Sequence, residues 1–154
     1  MNKDIELRKL VKDAWEELCR AFVPRNYYDE KQLQKFLYDK LVETRGNSKG
    51  IEREYRFHRW IIDFAIDKKV FIELKVHLKS GARTDRAWNN RFGPRHALRC
   101  FEKFADIRKE YPDALCYYAV YADSHKDEDD SRWQELDGMC HKEKIEFLLC
   151  VRKK

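Results

Sequence analysis

Residues 52–76, EREYRFHRWIIDFAIDKKVFIELKV, constrain the fold more than any other stretch. Their apolar residues recur with period two, the spacing of β-strands. Three strands are predicted, over 52–57, 60–66 and 70–78, joined by tight turns. A second hairpin centred on Lys68 sets Ile66 against Val70, Phe64 against Ile72, Ile62 against Leu74 and Trp60 against Val76. Every pair on that face is apolar, so burial selects this register and disfavours a slip of one residue. The opposite face then carries Asp63 directly across from Glu73, with Lys75 two residues along. In the first hairpin His58 and Arg59 form the turn. Phe57 then pairs with Trp60, Tyr55 with Ile62, and Glu54 with Asp63.

The rest of the chain reads as helices and two further strands. Apolar spacing predicts a helix over 3–22, with Pro24 ending it, and a second over 30–44 capped by Asp29. A third helix starts at Pro94 and runs to about 110. Leu115–Tyr121 is apolar on both faces, as in a central strand. The run 123–130, DSHKDEDD, reads as an exposed acidic loop. Ser131 and Gln134 form a capping box for a helix to about 141, and Ile145–Val151 is a last strand. The expected fold is α/β (α+β): a central mixed sheet with a three-stranded antiparallel meander, flanked by helices. It forms one domain over 1–154, with an N-terminal helix at 3–22, a core at 30–121, and a helix and strand over 131–154.

Composition excludes several classes. The 154 residues are 40% charged and 43% hydrophobic, neither a disordered chain nor a membrane span. The N-terminus carries charge throughout and lacks a signal-peptide apolar core, so the expected compartment is the reducing cytoplasm. Five cysteines without a CxxC spacing read as small buried hydrophobes rather than zinc ligands.

Two carboxylates opposed across strands repel unless a cation lies between them. A hard divalent ion with oxygen preference, Mg²⁺, answers that need, and Mn²⁺ can substitute. Asp63 also interrupts a strand that is otherwise apolar on both faces, a costly place for an unpartnered acid. Downstream, Lys75, Lys79, Arg83, Arg86, Arg91, Arg95 and Arg99 face a single acid, Asp85. A basic segment beside a metal site suits a phosphate backbone, and arginine can bind phosphate bidentately. His77 shares the face of Glu73 and Lys75.

Asp63, nine residues, then Glu73-Leu74-Lys75 resembles the D-(x)n-(D/E)xK signature of the PD-(D/E)XK nuclease superfamily, which has the restriction-endonuclease-like fold. The order of elements over 30–121 is also similar to that family's core. One departure is Ile62 in place of the proline before the aspartate. The resemblance implies a Mg²⁺-dependent phosphodiesterase, a nuclease acting on DNA, with RNA cleavage and a catalytically silent binding module as the alternatives. It implies Asp63, Glu73 and the Leu74 carbonyl as metal ligands and Lys75 as the group that orients or deprotonates the attacking water. Glu54 or Glu43 would be a further acid. Lys79, Arg83, Arg86, Arg91, Arg95 and Arg99 would bind nucleic acid. No membrane partner is expected, and a homodimer or larger complex fits the family habit.

Overall fold

A computed structural model describes residues 2–22, 30–77, 94–122 and 127–151. Among these, four helices and five strands alternate as α1 (Lys3–Ala21), α2 (Glu30–Arg45), β1 (Ile51–Phe57), β2 (Trp60–Ile66), β3 (Val70–His77), α3 (Pro94–Glu110), β4 (Leu115–Ala122), α4 (Asp127–Lys142) and β5 (Glu146–Val151). The strands form one mixed sheet in the order β1-β2-β3-β4-β5. β1, β2 and β3 are antiparallel neighbours, while β3, β4 and β5 run parallel. None of the described helices is long and apolar enough to cross a membrane.

Two apolar layers sandwich the sheet. On one face Leu7, Val11, Trp15 and Leu18 of α1 and Leu33, Leu37 and Leu41 of α2 pack on Ile72, Leu74 and Val76. On the other, Ala97, Cys100, Phe104 and Ile107 of α3 and Trp133 and Leu136 of α4 cover Phe71, Tyr118 and Val120. Both parallel crossovers, through α3 and through α4, therefore lie on the same face. Right-handed connections between strands added in one direction produce this arrangement. β4 is buried at all eight positions, as a central strand requires. Cys100, Cys116, Cys140 and Cys150 are buried, and Cys19 is half-buried.

The β2–β3 turn fits its geometry. Asp67 and Lys68 sit in the left-handed region at φ 54° and 50°, and Lys69 N–H donates to the Ile66 carbonyl at 2.9 Å. Two such residues in succession give a turn whose twist matches a hairpin. Arg45 at the end of α2 grips the Asp67 carboxylate with both terminal nitrogens, tying helix to hairpin.

Three expectations are corrected. The β2–β3 ladder holds Ile66 to Val70 and Phe64 to Ile72 and ends there, with no paired partner for Ile62 or Trp60 on β3. Phe64 and Ile66 join the α1/α2 layer, whereas Trp60 and Ile62 join the α3/α4 layer. β2 thus changes face at Asp63, where the strand departs from strict alternation. β1 changes with it. Arg53 lies over Tyr38 of α2 and Tyr55 packs on Phe71 on the far side. The residue between them, Glu54, is left-handed at φ 50°. Because both strands swap together, their predicted register survives intact on either side of that point.

The other two corrections concern the C-terminal part. Residues 127–130 open α4 instead of forming a loop, which puts Asp127, Glu128, Asp129 and Asp130 at the positive end of the helix dipole. Ser131 is consequently inside the helix and cannot be its cap. Asp29 and Pro24 lie outside the described residues.

Candidate functional site

The face change in β2 and the end of the β2–β3 ladder beyond Ile72 create the site. Beyond Phe64 and Ile72 the ladder is continued by side chains. The Leu74 N–H donates to Asp63 Oδ2 at 2.7 Å. The Asp63 N–H donates to Glu73 Oε1 at 3.3 Å. Each acid therefore holds the other strand's backbone, in place of a carbonyl. This satisfies buried amides that a split ladder would leave without acceptors.

Both helical layers send groups to this opening. From α2, Gln34 donates its amide to Asp63 Oδ1 at 3.4 Å and accepts from Arg53 at 3.2 Å. Glu30, one turn earlier, lies 3.6 Å from the Lys75 ammonium. From α3, Lys103 Nζ lies 3.4 Å from Glu73 Oε2, and the Cys100 thiol approaches the same oxygen at 3.8 Å. Glu73 is almost fully enclosed, at 2% exposure. Lys75 and Lys103 flank the acids from the α2 and α3 sides.

Burial dominates the electrostatics. It raises the Glu73 carboxyl to about 7, helped by the neighbouring Asp63 charge and opposed by Lys103 and Lys75. Burial also raises Asp63, against the Leu74 amide and the two lysines. Glu30 is raised by burial, with Lys75 opposing. Burial alone would lower Lys75, but Glu30 and the other nearby acids outweigh it and hold its ammonium above the ordinary value. Burial pushes the Cys100 thiol well up, so it sits here as a neutral S–H.

The sequence-predicted residues divide clearly. Asp63, Glu73, Leu74 and Lys75 come together. Glu54 is exposed, at its left-handed position across from Asp63 in the β1–β2 register. Glu43 is exposed and paired with Lys40. Arg99 is exposed on α3, and Arg95 lies in its first turn. Lys79, Arg83, Arg86 and Arg91 lie outside the described residues.

Sequence reasoning missed Gln34, Glu30, Lys103 and Cys100. A signal for the first two existed. Gln34 sits on the stripe Leu33, Leu37, Leu41 that α2 buries, and Glu30 precedes it by one turn. A polar residue on an apolar stripe implies a polar partner in the core.

The donor set suits a hard divalent ion: carboxylate oxygens from Asp63 and Glu73 and the carbonyl of Leu74. The buried Glu73 and half-buried Asp63, whose charge is opposed by their enclosure, have a need that such an ion would meet. Among the described residues no three His, Cys, Asp or Glu side chains gather as a ready-made ligand cluster. The remaining positions of an ion would therefore fall to water and substrate oxygens, as Mg²⁺ usually accepts. Compared with known proteins, the chain matches no family model, no curated protein and no solved structure.

Proposed function

We propose that this protein is a divalent-metal-dependent nuclease of the PD-(D/E)XK type, with a restriction-endonuclease-like core and DNA as its substrate. One observation carries the reading. Asp63 and Glu73 meet on adjacent strands where the ladder opens, each bonded to the other's strand, with the Lys75 ammonium paired to Glu30 and within electrostatic reach of both. Asp63, Glu73 and the Leu74 carbonyl would hold Mg²⁺ or Mn²⁺, which when bound neutralises phosphate charge and lowers the pKa of water.

The chain's own groups have distinct tasks. Gln34, fixed by Arg53, holds Asp63 Oδ1 in orientation. Lys75, kept an ammonium by Glu30, donates to the attacking water or to a phosphate oxygen and stabilises charge that develops there. That protonation state favours an electrostatic task over removal of a proton from water. The basic run from Lys79 to Arg99 attracts the phosphate backbone.

The test is incubation with single-stranded, duplex and branched DNA and with RNA of the same sequence, in Mg²⁺ and in EDTA. Cleavage of DNA in Mg²⁺ alone, lost in both Asp63→Asn and Glu73→Gln, is expected. Cleavage that survives both substitutions would sink the assignment. Binding of DNA without cleavage, indifferent to EDTA, would make the chain a binding module. Preferential RNA cleavage would reassign the substrate.

A further inference from the structure

Lys103 is anchored more firmly than an ordinary surface lysine. It sits one helical turn after Cys100 on the buried side of α3, and its side chain is 18% exposed. Its ammonium donates to the Ile61 carbonyl at 3.1 Å and to Glu73 Oε2 at 3.4 Å. It also lies 5.9 Å from the centre of the Trp60 ring, within the range of a cation–π contact. Trp60 is itself fixed, its indole N–H donating to Asp106 of the same helix at 2.6 Å. Two of the three groups that hold Lys103 thus have no part in binding an ion.

A positive charge fixed beside a metal-binding carboxylate opposes the ion. The geometry points to Lys103 as a resident counter-cation that competes with the divalent ion for Glu73 and keeps the ion's affinity low until substrate arrives. On ion entry the ammonium gives up Oε2 and remains on the Ile61 carbonyl and the Trp60 face. A phosphodiester brings the negative charge that offsets Lys103, so ion and nucleic acid bind together more tightly than either does alone. Lys75 is less suited to this task, because Glu30 at 3.6 Å already offsets its charge. The inference rests on the metal-dependent reading of the acid pair.

Calorimetric titration of the full chain with Ca²⁺ alone, at pH 9 and without nucleic acid, tests it. At that pH proton uptake by the carboxylates does not compete. Lys103→Met should bind Ca²⁺ about tenfold more tightly than the unaltered protein, the scale Coulomb's law gives for a unit charge near a divalent ion in a water-like dielectric. Lys103→Gln keeps a donor for the Ile61 carbonyl without the charge and should shift the same way, whereas Lys103→Arg should stay near the original affinity. A lysine that only packs α3 onto the sheet would behave oppositely, since its loss would loosen the site and weaken the ion. Unchanged or weaker Ca²⁺ binding in a folded Lys103→Met or Lys103→Gln protein overturns the proposal. Equal Ca²⁺ binding by the unaltered protein and Asp63→Asn would instead show that the ion is not at the acid pair, and the metal reading itself would fall.

Discussion

Replacing Glu73 by glutamine should stabilise the metal-free protein, and by an amount that depends on pH. The unfolded carboxyl titrates near 4.5 and the folded one near 7. A raised folded value means that the native state binds the proton more tightly. Its contribution to stability is therefore complete below pH 4.5 and is lost as pH climbs to 7. At 1.36 kcal/mol per pH unit, the loss across that window is about 3 kcal/mol. Glutamine keeps the shape, still accepts from the Asp63 amide, and never has to ionise. It does point amide hydrogens at Lys103, which removes about 1 kcal/mol of the gain. Net stabilisation should be about 2 kcal/mol at pH 8, or roughly 4–8 °C in Tm for a chain of this size. Near pH 4.5 that cost remains without the gain, so Glu73→Gln should be up to about 1 kcal/mol the less stable. Urea unfolding of both in EDTA, at pH 4.5, 6 and 8, reads this directly. The reasoning is refuted if Glu73→Gln is the less stable protein at pH 8, or if its stability relative to the unaltered protein does not rise with pH.

Lys75→Ala should lower the cleavage rate by about 10²–10⁴-fold while leaving duplex binding in Ca²⁺ nearly unchanged, since it removes charge stabilisation in the transition state; weak binding with a normal rate for bound DNA would return Lys75 to a general phosphate contact. Gly50→Ala should cost about 1–3 kcal/mol in urea melts, because φ is 76° there and a Cβ would fall on the Asp67 carboxylate that Arg45 grips. Its cleavage per folded molecule should not change. Changing Arg83, Arg86 and Arg91 together to Ala should lower the salt slope of duplex binding by about 0.9 for each phosphate contact removed, measured by titration in increasing KCl; an unaltered slope would mean those residues touch no phosphate.

The parts of this structure that follow local pattern were legible in the sequence. The β1–β2 register, the turn at Asp67 and Lys68, and the encounter of Asp63 with Glu73 follow from alternation and turn length alone. The swap of faces at Asp63 was not legible. Strict alternation assigns Trp60 and Ile66 to one layer, and only the left-handed Glu54 opposite reveals that both strands roll over there. Nothing in a glutamate's chemistry announces a positive φ. The helical contributors were hidden for another reason. Periodicity gives the buried stripe of α2 or α3, but the height at which a helix docks decides whether Gln34 or Lys103 reaches a particular strand. Of the α2 acids, Glu30 rather than Glu43 reaches Lys75, because it is the start of α2, not its end, that lies by the opening.

The bond from the Leu74 amide to Asp63 ties mutational tolerance to chemistry. Asp63 closes the sheet and, on the proposed reading, would also hold an ion, so losing the carboxylate and losing the acceptor are separate events. Asn keeps an acceptor oxygen for that amide and can silence the site without opening the strands. Ala removes both at once and strands a buried N–H. On fold grounds, substitution at position 63 should therefore find Asn accessible and small apolar residues closed. A protein so altered would keep the sheet and the basic segment and, on the proposed nuclease reading, would bind nucleic acid without cutting it.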